Sequence, residues 1–156
     1  MNTLKLDHID RKILEILQID GNITNAQLAK DIGLSPAPTL ERVKKLEQSG
    51  IIKGYHAELD KNMLGLGITT FVLVSLSSNK LNKINTFVEK ITSLHEVIEC
   101  HHVTGTGDFL LKILIEDLSS YHKLILEKLT QIEEIGNMSS MMVLASYKNN
   151  AIIKVK

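Results

Sequence analysis

The sequence predicts an α+β chain in two parts, with short helices in the first third and then strands and helices in the order βαββαβ. Three observations predict it. The stretch GLSPAPTLERVKKLEQSGIIKGY, Gly33 to Tyr55, joins a capping serine and a proline to an amphipathic helix stopped by Gly50. Upstream, Asp7 and Thr24 stand where capping residues belong, just before apolar-periodic segments. Beyond Leu66 the apolar period shortens to strand-like runs, interrupted by two helical stripes.

The elements follow in order. Asp7 can cap a first helix with an inner stripe of Ile9, Ile13, Ile16 and Leu17, stopped near Asp20-Gly21. Thr24 to Gln27 fits a capping box, and Leu28 and Ile32 point inward from the helix behind it. Ala29 and Gly33 lie four apart, as a close helix crossing followed by a turn requires. The inward positions of the third helix arrive one residue late, which a turn lengthened by Ser35-Pro36 accounts for. Ser35 caps that helix, and Pro36 and Pro38 fall where backbone N–H groups have no internal partner. Leu40, Val43, Leu46 and Glu47 then share one face, with Pro38, Glu41, Arg42, Lys45 and Ser49 opposite. Ile51 to His56 alternates enough to be a wing strand. This is the pattern of a winged helix-turn-helix over residues 1–56, and its cationic third helix suits a DNA major groove. The alternative is a small helical bundle with surface charges.

Residues 57–66 read as a linker, and residues 67–156 as a second domain. Ile68 to Leu76 is apolar on both alternations. Ile84, Phe87, Val88 and Ile91 form a helical stripe after a turn around Ser77 to Asn79. Val97 to Val103 and Phe109 to Ile115 are strands, and Asp117 or Ser119 starts a helix with Tyr121, Leu124, Ile125 and Leu129 inward. Met138 to Leu144 closes the set, and Ala151 to Val155 is a candidate terminal strand. The order βαββαβ is the ferredoxin-like arrangement, with both helices on one face of the sheet. Strands apolar on both faces need a cover on the other side. A second copy of the sheet supplies it in a homodimer; a helix or the tail would supply it in a monomer.

Composition narrows the function. Lys+Arg and Asp+Glu are balanced at 18 each, which is few cations for a DNA binder. Most of the local positive excess lies between Arg42 and Lys53, so either the chain does not bind DNA or several copies bind together, and the second is expected. No apolar run approaches the roughly 18 residues of a membrane span. The polar N-terminus gives no signal-peptide pattern, and Cys100 is the only cysteine, so a cytoplasmic setting is expected. No phosphate-binding loop, nucleophile–base pair or paired acids occur at recognisable spacing, so no enzyme and no cofactor are expected. Among His95, Cys100, His101 and His102, strand alternation sends Cys100 and His102 to one face and His101 to the other, so three of them cannot converge simply and strand packing, not a metal site, is expected.

Leu6-Asp7 through Asp10 with Ile13-Leu14, the block from Gly33 to Tyr55, and Val103-Thr104-Gly105 with Asp108 to Lys112 resemble the Lrp/AsnC family of regulators, colinearly over nearly the whole chain. The resemblance implies a winged helix-turn-helix joined to a βαββαβ domain of the RAM type, serving regulation of amino-acid metabolism. It also implies dimerisation through the sheets, assembly of four dimers in a ring, and a free amino acid bound where dimers meet.

The sites follow. Arg42 is expected to pair with a guanine edge or clamp a phosphate, and Lys45 to neutralise phosphate. Ser35, Pro36, Ala37 and Thr39 form the leading turn toward DNA, with hydroxyls for backbone phosphate. A free amino acid needs N–H donors for its carboxylate and a carboxylate for its ammonium. Gly105-Thr106-Gly107-Asp108 offers both. In the resemblance this turn is the effector loop, Asp108 is its acidic residue, and Ser139 with Ser140 closes the pocket. Gly107 departs from the bulkier residue usual in the family. The loop also fits a plain hairpin turn, and the whole chain an architectural DNA protein without an effector.

Overall fold

A computed structural model describes residues 5–78, 80–149 and 152–155. The chain forms two compact units, residues 1–58 with 148–156, and residues 59–147.

The first unit holds α1 (His8–Ile19), α2 (Asn25–Ile32) and α3 (Pro36–Gln48). The start of α1 is a complete capping box. The Asp7 carboxylate accepts from the Asp10 N–H at 2.8 Å, and the Asp10 carboxylate accepts from the Asp7 N–H at 3.2 Å. At α2 only half of the expected box forms: Thr24 Oγ1 accepts from the Gln27 N–H, but the Gln27 amide donates forward to Asp31 at 2.7 Å. Gly33 then turns the chain at φ 77°, with the Leu34 N–H on the Ala29 carbonyl and the Gly33 N–H on the Lys30 carbonyl. That pairing satisfies the carbonyls at the end of α2 and needs a residue without Cβ. Ile13, Leu14, Leu28, Ile32 and Leu46 form the core between the helices.

Three expectations about α3 and its surroundings are corrected. Ser35 holds the N-cap position in extended backbone, but its side chain makes no capping bond. The helix face is turned by about one residue: Thr39 is fully buried, whereas Leu40 is 43% exposed and Glu47 accepts a bond from the Tyr55 hydroxyl. Thr39 can be buried because its hydroxyl donates to the Ser35 carbonyl at 2.9 Å, which satisfies it within its own helix. Ile51 to His56 forms no strand, having no ladder partner among the described residues. The tail residues 152–155 are likewise irregular, and Ala151 lies outside the described residues. Val155 packs on the helical core, and the Gln18 amide donates to the Ile153 carbonyl and accepts from its N–H.

The second unit runs β1 (Ile68–Leu76), α4 (Leu81–Thr92), β2 (Val97–His102), β3 (Phe109–Ile115), α5 (Leu118–Lys123) and β4 (Ile135–Met142). α5 continues through a π-helical turn, Leu124–Lys128, and a short 3₁₀ turn, Leu129–Gln131. The four strands are antiparallel in the order β2-β3-β1-β4, the ferredoxin-like topology. On the helix side Val72, Val74, Leu111 and Ile113 are fully buried with Phe87 and Ile91 of α4 and Leu124 behind α5. On the other side the register aligns Phe71 with Lys112 and Met141, and Leu73 with Leu110 and Ser139. Those apolar side chains are half-buried or exposed.

β4 begins three residues before Met138, the expected start, and ends at Met142. Gly136 lies in this strand at a close backbone approach, where a Cβ would meet the Ser77 backbone N at 3.1 Å.

Candidate functional site

The outer surface of α3 carries Pro36, Ala37, Pro38, Leu40, Glu41, Lys44, Lys45 and Gln48, all exposed. Arg42 does not project freely with them. Its Nη1 lies 2.7 Å from Asp7 Oδ2 and 2.6 Å from Asp10 Oδ1, tying α3 to the first turn of α1. These two carboxylates hold the guanidinium charged more firmly than usual. The backbone N–H of Asp10, and then Arg42, hold the Asp7 carboxyl below the ordinary carboxylate range. Arg42 therefore has a structural role in place, and Thr39 is turned away from solvent. Of the six residues expected to face DNA, Ser35, Pro36, Ala37 and Lys45 remain open on the surface.

The second cluster lies on the loop between β2 and β3. The Val103 N–H reaches the Asp108 carbonyl at 2.9 Å, and the Asp108 N–H reaches the Val74 carbonyl at 2.8 Å, so the loop folds back over the end of β1. Asp108 Oδ2 accepts from the Leu76 N–H at 2.7 Å. Among the described residues no hydrogen bond engages its other carboxylate oxygen. Gly105 has φ 133°, a conformation that favours glycine. Gly107 is buried, and a Cβ there would lie 2.6 Å from Leu73 Cγ. Any side chain at this position would collide with Leu73 as it stands.

Ser139 and Ser140 alternate. Ser139 pairs with Leu73 and shares its face, while Gly107 approaches the Leu73 side chain. Ser140 pairs with Val72 on the helix side, where its Oγ accepts from the Tyr121 hydroxyl. The structure thus gathers Gly107, Leu73 and Ser139 on one face and sets Ser140 on the other. The sequence reading missed Leu73 and Tyr121, whose contacts depend on strand register.

Around the histidines, Cys100 packs against the helix-side core and burial pushes its thiol up. His101 faces Glu99 at 3.1 Å, and His102 stacks on Phe109 with ring centroids 4.7 Å apart. No group of metal-holding side chains occurs among the described residues. No helix of the described residues is long and apolar enough to cross a membrane.

Comparison with known proteins agrees with this architecture. Residues 69–153 match the family model for the Lrp/AsnC ligand binding domain, and residues 6–53 match that for winged helix-turn-helix DNA-binding. The leucine-responsive regulatory protein of Escherichia coli strain K12 is 39% identical over 153 residues, covering 97% of this chain and 93% of the relative. A transcriptional regulator of Neisseria meningitidis, solved as its L-Met complex, superimposes with TM-score 0.90 at 32% identity, covering 94% of this chain and 95% of that one. An AsnC family transcriptional regulator of Agrobacterium tumefaciens gives TM-score 0.90 at 32% identity, covering 95% and 96%.

Proposed function

The chain belongs to the Lrp/AsnC family of DNA-binding transcriptional regulators, which are not enzymes, and from that premise we propose that it is a sequence-specific regulator of amino-acid metabolism genes that answers to a free amino acid. The observation that carries the effector reading is Asp108. One carboxylate oxygen is fixed by the Leu76 N–H, and the other takes no hydrogen bond from the described residues and lies beside a glycine-rich turn. The ligand ammonium pairs with that carboxylate, and the ligand carboxylate takes N–H donors of the loop around Thr106 and Gly107. Gly105 supplies the turn and Ser139 a hydroxyl on the same face as Leu73. An apolar side chain on the ligand is supported by the relatives, one named leucine-responsive and one solved with L-Met.

The protein works as a homodimer formed through the open sheet face, with further assembly of dimers into a ring. Phe71, Leu73, Leu110 and Leu114 are apolar and incompletely covered in one copy. Covering each fully is worth about 1.5–3 kcal/mol. Lys112, 2.7 Å from Glu99, and His101 provide a polar rim on the same face. DNA contacts come from α3, with Lys45 on phosphate and Ser35, Pro36 and Ala37 at the leading turn.

Calorimetric titration of the amino acids into wild type and Asp108→Asn tests the effector site. Asn keeps an acceptor for the Leu76 N–H but removes the charge. An apolar amino acid should give heat with wild type and at least tenfold weaker binding with the variant. Equal binding in both would remove Asp108 from the site.

A further inference from the structure

With Arg42 held by Asp7 and Asp10, the first two turns of α3 have little to offer base edges by hydrogen bonding. Thr39 is buried, and the exposed side chains there are Pro36, Ala37, Pro38, Leu40 and Glu41. Glu41 brings acceptors only, for which cytosine N4 is the major-groove match. Ala37, Leu40 and Lys44 follow one another on one helix face at spacings of three and four. They make a short apolar strip whose cation, Lys44, stands one turn further on. Leu40 is 43% exposed although the helix has a buried face that takes the smaller Thr39. In the major groove the apolar partner is the C5-methyl of thymine.

Resting on the reading of α3 as the recognition helix, we infer that Leu40 is a specificity-determining residue that selects thymine by contact with its methyl group. Ala37 extends the same apolar surface toward the helix N-terminus, the end that meets base edges in this class of motif. Arg42 takes no part in reading bases. The preferred site is therefore marked by thymine, and not by a guanine held in a bidentate arginine pair.

The test uses the full chain. A preferred duplex is selected from a random-sequence pool, and each thymine in it is replaced singly by uracil, which removes the methyl and leaves the pairing edge intact. Wild type should weaken about fourfold at one or two positions of each half-site, the effect of losing one buried methyl. L40A should bind with no further loss on the same replacements and should accept any base pair there. If wild type ignores uracil throughout, or L40A is as sensitive as wild type, the Leu40 assignment is overturned while DNA recognition stands. If selection enriches no sequence, sequence-specific recognition fails, and the Leu40 assignment with it. The uracil series on wild type needs no variant, so a misfolded L40A would not rescue the claim.

Discussion

Arg42 and Asp10 form a contact between α3 and α1, with Nη1 2.6 Å from a carboxylate whose side chain is only 7% exposed. Arg42→Ala would leave that carboxylate without its charged partner. An exposed ion pair is worth under about 1 kcal/mol, whereas breaking a buried one costs about 3–5 kcal/mol. With Arg42 a third exposed, a loss of about 2 kcal/mol from the first unit is expected between those limits. Thermal unfolding checks it. Asp10→Ala with Arg42→Ala should lose less than the two single losses added together. An unchanged midpoint for Arg42→Ala would show that the contact contributes nothing to the fold.

Asp7 adds a pH dependence. Its carboxyl is held below the ordinary value of 3.8, so its stabilisation is fully present above that pH and is lost as pH falls through the folded value. Asn caps a helix about as well as Asp, so Asp7→Asn removes the titration and keeps the cap. Wild type should lose stability more steeply than this variant as pH drops below about 4. Parallel acid-unfolding curves would contradict the assignment.

Gly107→Ala should destabilise the second unit, because the added Cβ falls 2.6 Å from Leu73 Cγ. Overpacking of this kind costs about 1–3 kcal/mol. Leu73→Ala in the same chain should relieve the clash, so the double variant should exceed additivity. Denaturant unfolding of the four proteins measures it.

Gln18→Ala should free the tail. The amide of Gln18 meets both the N–H and the carbonyl of Ile153, at 2.7 and 3.0 Å. Both bonds are exposed, so global stability should fall by no more than about 1 kcal/mol. The Ile153 amide should nevertheless exchange with solvent several-fold faster. Unchanged exchange would mean that the Gln18 amide does not protect Ile153.

Much of this was legible in the sequence, for local reasons. Asp7, Thr24, Gly33 and Gly50 mark helix ends by chemistry within a few residues, and the apolar runs of β1 and β3 show their period directly. What escaped depends on distant partners. Arg42 sits among cations in the sequence, yet its carboxylates lie 32 and 35 positions away. Leu40 is expected inside by its spacing on the helix, but Thr39 takes the buried position with its hydroxyl satisfied on the Ser35 carbonyl. The early start of β4 at Ile135 takes in Gly136, which lies close against the Ser77 backbone, a contact between distant residues. In the loop, Asp108 stands out as a candidate by its type and setting, but the opposite facing of Ser139 and Ser140 comes from register.

In the proposed reading the sheet face with Phe71, Leu73, Leu110 and Leu114 joins copies, and joining copies would let so evenly charged a chain hold DNA. Light scattering of the full chain in solution measures its mass directly. The account predicts a particle of at least two copies, reduced toward one by Leu110→Asp. A wild-type particle of 17.4 kDa, the mass of a single chain, would contradict it.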